Sequence, residues 1–215
     1  MNLSRPLSVV TPTVDGDVLA ALASVETSFS GRELHRIIGR HSQSGVNRVL
    51  NRLVREGIVS RIRVGSARSY SLNREHLQAE AIILLARARE RLIERLSDHI
   101  AEWEDAPYFA AMYGSSVGGG HGDESDVDLI VVRPETLDED DEPWSTQLTE
   151  LRSAVGRWTG NDCDLIEYSM EEVEEAFADR DPFIVGIGSR MVLLHGSRTY
   201  LHRPVRRRPR RAAHA

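Results

Sequence analysis

A glycine-rich stretch between two apolar segments contains the residues best suited to chemistry. Residues 113–132 read YGSSVGGGHGDESDVDLIVV, with Asp126 and Asp128 two positions apart at the start of an apolar run. In an extended chain, side chains at alternate positions point to one face, so these carboxylates are expected to lie together. Such a pair is best tolerated around a hard divalent cation, and Mg²⁺ binds through one or two carboxylates together with substrate phosphates. The stretch therefore predicts a magnesium and phosphate site.

The glycines of this stretch predict where the phosphates would bind. Glycine permits positive φ and lets backbone N–H groups approach an anion closely. We therefore expect nucleotide contacts from the loop residues Gly114, Ser115, Ser116 and Gly119. His121 lies in the same loop and could contact phosphate or metal, although its spacing to Asp126 does not require it.

The spacing of these residues resembles that of a known family. A Gly-Ser pair, ten residues and then Asp-x-Asp on the following strand is the signature of the DNA polymerase β-like nucleotidyltransferases, in their small bacterial and archaeal form. The resemblance implies transfer of a nucleoside monophosphate from an NTP to an acceptor hydroxyl, with two Mg²⁺ ions. Many small members carry arginine just after the Gly-Ser pair, and Ser116 and Gly118 occupy those places here.

The same resemblance implies a third carboxylate on a later strand. The segment NDCDLIEYS at 161–169 predicts that strand, and we assign Asp164, with Asp162 as the alternative. Asp126, Asp128 and Asp164 are thus the predicted catalytic residues and the predicted metal ligands. Asp164 would bind the second metal or take the proton of the attacking hydroxyl.

Charge is distributed very unevenly along the chain. All 27 basic residues are arginine, and the formal net charge is −6. Residues 31–74 contain ten arginines and two acids, whereas residues 121–181 contain twenty acids and four arginines. This asymmetry predicts that one part of the chain meets a polyanion and that the other has a different task.

The basic part reads as three helices followed by a β-hairpin, within residues 13–74. Ser30 and Glu33 form a capping box for the second helix, a third is expected over 43–56 and ends at Gly57, and the hairpin follows over 58–72. This order resembles the winged helix-turn-helix of bacterial regulators, although such modules also serve protein contacts alone. The resemblance implies DNA contacts from the third helix and the hairpin, namely Gln43, Ser44, Asn47, Arg48, Asn51, Arg52, Arg61, Arg63 and Arg68.

The remaining segments complete the expected organisation. We predict a flexible N-terminus over 1–12, one long connecting helix over 75–104, a nucleotidyltransferase domain over 105–202 and a disordered, arginine-rich tail over 203–215. The apolar period of the long helix suits packing on the catalytic sheet or a homodimer, and the two roles are compatible. The tail would be a polybasic arm for nucleic acid or a solubilising remnant. The predicted fold class is α+β, with a mixed sheet flanked by helices in the C-terminal domain.

Composition excludes several other classes of protein. A single cysteine, Cys163, excludes an intrachain disulfide framework and a cysteine-based zinc site. No apolar stretch approaches the roughly 20 residues that span a bilayer. The N-terminus lacks the apolar region of a signal peptide. We therefore expect a cytoplasmic protein without a membrane partner.

Two functions of different class follow from these patterns. The first is a bacterial, metal-dependent nucleotidyltransferase acting on nucleic acid or protein, recruited by a DNA-binding winged helix, as a toxin–antitoxin component would be. The alternative is a winged-helix transcriptional regulator whose transferase-like domain senses nucleotide without catalysis. The intact Asp-x-Asp favours the first, and the missing loop arginines favour the second.

Overall fold

The chain folds into two compact units that both combine helices and strands. The computed structural model describes residues 1–64, 67–118, 122 and 125–197. Residues 1–92 form the body of the first unit, and the second consists of described residues from 93 onward. The α+β class is therefore confirmed. Within these described ranges, no helix has the length and apolar character needed to cross a bilayer.

The first unit is built from helices followed by a hairpin. Its elements are a 3-10 helix (Pro6–Val9), α1 (Val14–Ala23), β1 (Phe29–Ser30), α2 (Gly31–Ile38), α3 (Gln43–Arg55), β2 (Val59–Val64), β3 (Ala67–Leu72) and α4 (Ala79–Ala86). The predicted capping box is confirmed, because the Glu33 amide donates to Ser30 Oγ at 3.2 Å and the Ser30 amide donates to Glu33 at 2.7 Å. Gly57 follows α3 with a φ of +79°, a conformation that favours glycine.

The sheet of the first unit closes its core. Its strand order is β1-β3-β2 with both pairs antiparallel, so the predicted hairpin is confirmed, while its tip at 65–66 lies outside the described residues. Leu22 on α1, Leu34 on α2 and Leu50 on α3 are fully buried in one core, to which Tyr70 of β3 also belongs. Because one face of α3 is buried in this core, the residues on its opposite face are exposed to solvent.

The first residues of the chain differ from the prediction of a flexible N-terminus over 1–12. Leu3 and Leu7 are buried, at 1% and 3% exposed. Between them, Arg5 forms a bidentate ion pair with Asp17. Its Nε donates to Oδ1 and its Nη2 donates to Oδ2, both at 3.1 Å. The N-terminal segment is therefore packed and ion-paired, which composition alone does not reveal.

Asp17 joins this segment to the turn before α3. Arg40 donates to both carboxylate oxygens at 3.1 Å, and His41 Nε2 lies 2.7 Å from Oδ2. His41 has a φ of +75°, which is unfavourable for a residue with a Cβ. The next residue, Ser42, caps α3 by accepting a hydrogen bond from the Gly45 amide at 3.1 Å. A buried carboxylate thus holds the turn from which α3 starts.

The single helix predicted over 75–104 is wrong. The structure has two helices, α4 and α5 (Ala88–Ala101), separated at Arg87, where ψ is 16°. Ile82, Ile83 and Ala86 of α4 pack on the first core. Leu96 and Ile100 of α5 belong to the second unit and are buried. The apolar residues of this segment are therefore divided between two cores, those of α4 in the first and those of α5 in the second. A homodimer through this segment stays a prediction.

The second unit contains a mixed four-stranded sheet. Its elements after α5 are β4 (Phe109–Met112), α6 (Ser115–Gly118), β5 (Val127–Val132), α7 (Glu142–Thr159), β6 (Cys163–Tyr168), α8 (Met170–Ala178), α9 (Pro182–Ser189) and β7 (Val192–Gly196). The strand order is β6-β5-β4-β7, in which β5 and β6 are parallel and the other pairs antiparallel. Parallel neighbours need a crossover connection, and α7 provides it.

Helices cover both faces of this sheet. On one face, Met170 and Val173 of α8 and Ile184 of α9 pack against Phe109 and Ile130. On the other, the Trp144 indole of α7 donates to Glu167 at 2.8 Å. The predicted flanking of a mixed sheet by helices is present, while the predicted tail over 203–215 lies outside the described residues.

Candidate functional site

The register between β5 and β6 brings two of the predicted acids together. Asp128 and Asp164 are direct partners in this parallel pair, so their side chains leave the sheet on the same face. Neighbouring strands lie about 4.8 Å apart, which puts the two carboxylates side by side. Asp126 is exposed and lies one residue before β5, outside the ladder. Asp162 is also outside it and accepts a hydrogen bond from the Val127 amide through its backbone carbonyl, at 2.8 Å. The register favours Asp164 over Asp162 as the partner acid.

Gly114 lies directly against the Asp128 carboxylate. A Cβ built on Gly114 would be 2.2 Å from Asp128 Oδ2 and 2.8 Å from Cγ, and the φ of Gly114 is +67°. Both the conformation and the close approach therefore require glycine. The Tyr113 amide donates to the Asp128 carbonyl at 3.0 Å and ties this turn to β5. The predicted Gly-Ser turn and one predicted acid thus meet in space.

The other predicted loop residues have different environments. Ser115 is partly exposed at the start of α6. Ser116 is only 2% exposed, and its hydroxyl donates to the Asp126 carbonyl at 3.4 Å. Its side chain therefore packs the turn against the acid-bearing segment, and its predicted nucleotide contact stays a prediction. Gly119 and His121 lie outside the described residues.

A buried asparagine that we did not predict positions the segment before Asp126. Asn161 is 6% exposed, and its side-chain amide donates to the Ser125 carbonyl at 2.7 Å. Its own backbone amide donates to Thr159 Oγ1 at 3.0 Å. The sequence signal is a polar residue between a helix-ending glycine, Gly160, and a strand. Asn161 is a positioning residue, since it fastens the start of β5 to the start of β6.

Two titratable groups beside the acids remain protonated at neutral pH. Burial raises the pKa of the Tyr113 phenol, and the charges of Asp164 and Asp128 raise it further. Burial also raises the pKa of the Cys163 thiol to about 12; the charges of Asp164 and Asp128 add to this, while Arg152 opposes it. The phenol of Tyr113 therefore keeps a proton that it can donate to an anionic group at the acid pair.

In the first unit, α3 presents a stripe of polar side chains to solvent. Ser44, Asn47, Arg48 and Asn51 are all exposed. They follow one another at intervals of three, one and three residues, which places them on one face of the helix. Gly31 at the start of α2 allows α3 to approach, because a Cβ there would lie 2.6 Å from Asn47 Oδ1. The predicted polar face of the third helix is therefore present.

Two residues predicted for that face are engaged within the unit. The Arg52 guanidinium forms ion pairs with Asp15 of α1 and with Glu56, the latter at 2.6 Å. Gln43 is partly buried, and its amide donates to the Gly31 carbonyl at 2.9 Å. Arg52 and Gln43 thus hold α3 against α1 and α2, and their predicted DNA contacts stay a prediction.

The hairpin carries opposed arginines. Arg63 and Arg68 are direct antiparallel partners, and Arg61 lies on the same face two residues before Arg63. All three are exposed. Like charges directly opposite each other destabilise a sheet. A polyanion on this face would relieve the repulsion, which agrees with the predicted contacts.

No protein-family model and no curated protein matches this chain.

The kind of ion that the acid pair can bind follows from its carboxylate oxygens. Asp128 and Asp164 offer carboxylate oxygens, the ligands that Mg²⁺ prefers, and Mg²⁺ commonly takes its remaining ligands from phosphates and water. The Asp128 carboxylate occupies the space that a side chain at position 114 would need, so Gly114 permits its present position. The donor set therefore fits Mg²⁺ bound together with a nucleotide. Within the described part of the chain, no group of three or more histidine, cysteine, aspartate or glutamate side chains is placed to hold a metal ion.

We expect Gly114→Ala to weaken Mg²⁺–ATP binding at least tenfold, because its Cβ must displace the Asp128 carboxylate. Gly160→Ala is the matched control. Gly160 has a φ of +71°, and a Cβ there would meet nothing within 4 Å. Both variants carry the same conformational penalty, about 1–2 kcal/mol in the free energy of unfolding. Titration calorimetry and urea denaturation measure the two effects. Equal ATP affinities for the two variants would contradict the prediction.

Proposed function

We propose that this protein is a metal-dependent nucleotidyltransferase that moves a nucleoside monophosphate from an NTP to a hydroxyl of a nucleic acid or protein. We also propose that its first unit is a DNA-binding winged helix-turn-helix and its second a nucleotidyltransferase fold. The observation that carries the first proposal is the pairing of Asp128 with Asp164 in register, beside a turn that only glycine can occupy. The second rests on the exposed polar stripe of α3 and the opposed arginines of the hairpin.

The chemistry requires an acceptor oxygen to attack the α-phosphorus. A bond forms between that oxygen and phosphorus, the bond from the α-phosphorus to the bridging oxygen breaks, and pyrophosphate leaves. Asp128 and Asp164 would hold Mg²⁺, with Asp126 as the third predicted ligand, and the metal would neutralise charge on the phosphates and acceptor. Asp164 would take the proton of the attacking hydroxyl. Gly114 and Ser115 would position the phosphates, and the Tyr113 phenol would donate a hydrogen bond to them.

One observation favours the sensor as a second candidate function. The described turn after Gly114 runs Ser115, Ser116, Val117 and Gly118, so it brings no cationic side chain to a triphosphate. Such a site could bind nucleotide without catalysing transfer, and the protein would then be a transcriptional regulator that responds to nucleotide.

Incubation with Mg²⁺ and each labelled NTP separates these two functions. The protein is tested alone and with cellular RNA and protein as acceptors. Label in any acceptor, dependent on Mg²⁺, supports transfer. Nucleotide binding with no label in any acceptor supports the sensor. Absence of any nucleotide binding would contradict both.

The proposed DNA contact predicts different results for two neighbouring arginines. Arg48→Ala should weaken DNA binding about tenfold and lower the slope of log affinity against log salt by about one, because an exposed cation near a phosphate or base is lost. Arg52→Ala should change DNA binding less, since its guanidinium is held by Asp15 and Glu56. Fluorescence anisotropy across a salt series measures both. Equal losses for the two variants would show that α3 does not present Arg48 as proposed.

A further inference from the structure

A partly exposed aromatic side chain lies beside the acid-bearing face of the sheet. Phe183 lies at the start of α9 and is 37% exposed, whereas Ile184 and Ile187 of the same helix are buried in the core. Asp181 caps this helix by accepting a hydrogen bond from the Phe183 amide at 2.7 Å. The two isoleucines and the cap therefore fix the position from which the Phe183 ring projects.

Tyr113 connects this ring to the acid pair. The Phe183 and Tyr113 rings pack edge to face, with centroids 5.5 Å apart and planes at 87°. Tyr113 leaves the sheet on the same face as Asp128, because its amide continues the β4–β5 pairing by donating to the Asp128 carbonyl. The Phe183 ring is thus one aromatic side chain away from the two carboxylates.

The neighbouring surface of α9 is open. Gly186 lies one helical turn after Phe183, and a Cβ built there would meet no atom within 4 Å. An exposed ring followed by a residue without a side chain leaves space for a flat group to lie against the helix. Apolar side chains are commonly exposed singly, so the position of Phe183 beside the acids, and not its exposure, is the informative feature.

We propose that Phe183 is the platform on which the base of the nucleoside triphosphate stacks while its phosphates bind at Asp128 and Asp164. This inference rests on the proposed function. Every base has a π-face, so stacking on an aromatic side chain accepts any base and prefers those that stack more strongly. We therefore expect the protein to bind purine nucleotides more tightly than pyrimidine nucleotides by only a small factor.

The test compares ATP with inorganic tripolyphosphate, which has the phosphates without the base. In the full-length protein with Mg²⁺, Phe183→Leu should weaken ATP binding roughly tenfold in titration calorimetry, as loss of a stacking partner does. Its affinity for tripolyphosphate should not change. Phe183→Trp should bind ATP at least as tightly as the unmodified protein. Val185→Ala is the matched control, because Val185 is 51% exposed on the same helix, and its ATP affinity should not change.

Three results would overturn the stacking platform. They are unchanged ATP affinity in Phe183→Leu, equal weakening of ATP and tripolyphosphate in that variant, and loss of ATP binding in Phe183→Trp. If Asp128→Asn weakens both ligands while Phe183→Leu weakens neither, the platform alone fails and the proposed function stands. If the unmodified protein binds neither ligand, the proposed function fails as well.

Discussion

Replacing Asp128 with asparagine is expected to lower the rate of the proposed nucleotidyl transfer by roughly 100-fold or more, the scale of losing one group that stabilises charge in a transition state. The protein should stay folded, because Asp128 is a partly exposed residue near the start of a strand whose following positions are buried. Its free energy of unfolding should be equal to or greater than that of the unmodified protein. Removing one of two adjacent negative charges relieves repulsion, a common trade between stability and activity at functional sites.

The partner acids provide the controls for this experiment. Asp164→Asn should cause a loss of similar size, because Asp164 is the register partner of Asp128. Asp162→Asn should retain most of the activity, since Asp162 lies before β6 and the contact that it makes to β5 is through its backbone carbonyl. Transfer of labelled nucleotide under saturating Mg²⁺ measures all three. Greater loss in Asp162→Asn than in Asp164→Asn would show that the third carboxylate was assigned to the wrong residue.

Asp17→Asn should lower the free energy of unfolding by about 2–3 kcal/mol at pH 7, because it leaves two guanidinium groups without their buried counter-charge. Asp17 is 9% exposed, while Arg5 and Arg40 are 24% and 45% exposed, which limits the loss. Asp15→Asn is the matched control in the same first turn of α1. Its partner Arg52 is 41% exposed, so the loss there should stay below about 1 kcal/mol. Urea denaturation measures both, and equal losses would contradict a special role for Asp17.

The effect of Asp17 should also depend on pH. Burial alone would raise its pKa, but hydrogen bonds from Arg5 and His41 and the charges of Arg40 and Arg5 lower it below its usual value of 3.8. A carboxylate whose pKa is lower in the folded state than in the unfolded state stabilises the protein at pH values above the unfolded pKa. That stabilisation is lost as the pH falls through the folded pKa. The difference between Asp17→Asn and the unmodified protein should therefore be constant near neutral pH and shrink below about pH 4. A difference that grows on acidification would contradict the ion-pair network.

Local signals in the sequence were sufficient to predict most of the helices and strands. The Ser30–Glu33 box, the glycine after α3 and the continuous apolar run of β5 each act over a few positions, and the structure confirms them. The Asp-x-Asp spacing located the acid-bearing strand for the same reason.

Tertiary partners explain what the sequence could not show. The helical periodicity of α3 predicts that Arg52 faces solvent. Its ion pair with Asp15 forms only once α1 has packed against α3, and the sequence does not show that packing. The sequence predicts that Ser116 contacts a nucleotide, and it does not show that the turn folds against Asp126 and buries this side chain. The break at Arg87 is also invisible to periodicity, because apolar residues continue at the same spacing on both sides. The sequence favoured Asp164 with Asp162 as the alternative, and the β5–β6 register, which depends on α7, adds the support of a direct pairing with Asp128.

The crossover through α7 has a consequence for how the acid pair comes into being. Asp128 and Asp164 are about 36 positions apart, and they become neighbours only after the intervening helix has docked and β6 has aligned in parallel with β5. Parallel strands joined over such a distance pair slowly, since the chain entropy of closing the loop is lost before the contacts form. A partly unfolded chain would consequently keep its helices and lack the acid pair, so the proposed affinity for Mg²⁺ with ATP would report completion of folding in this unit.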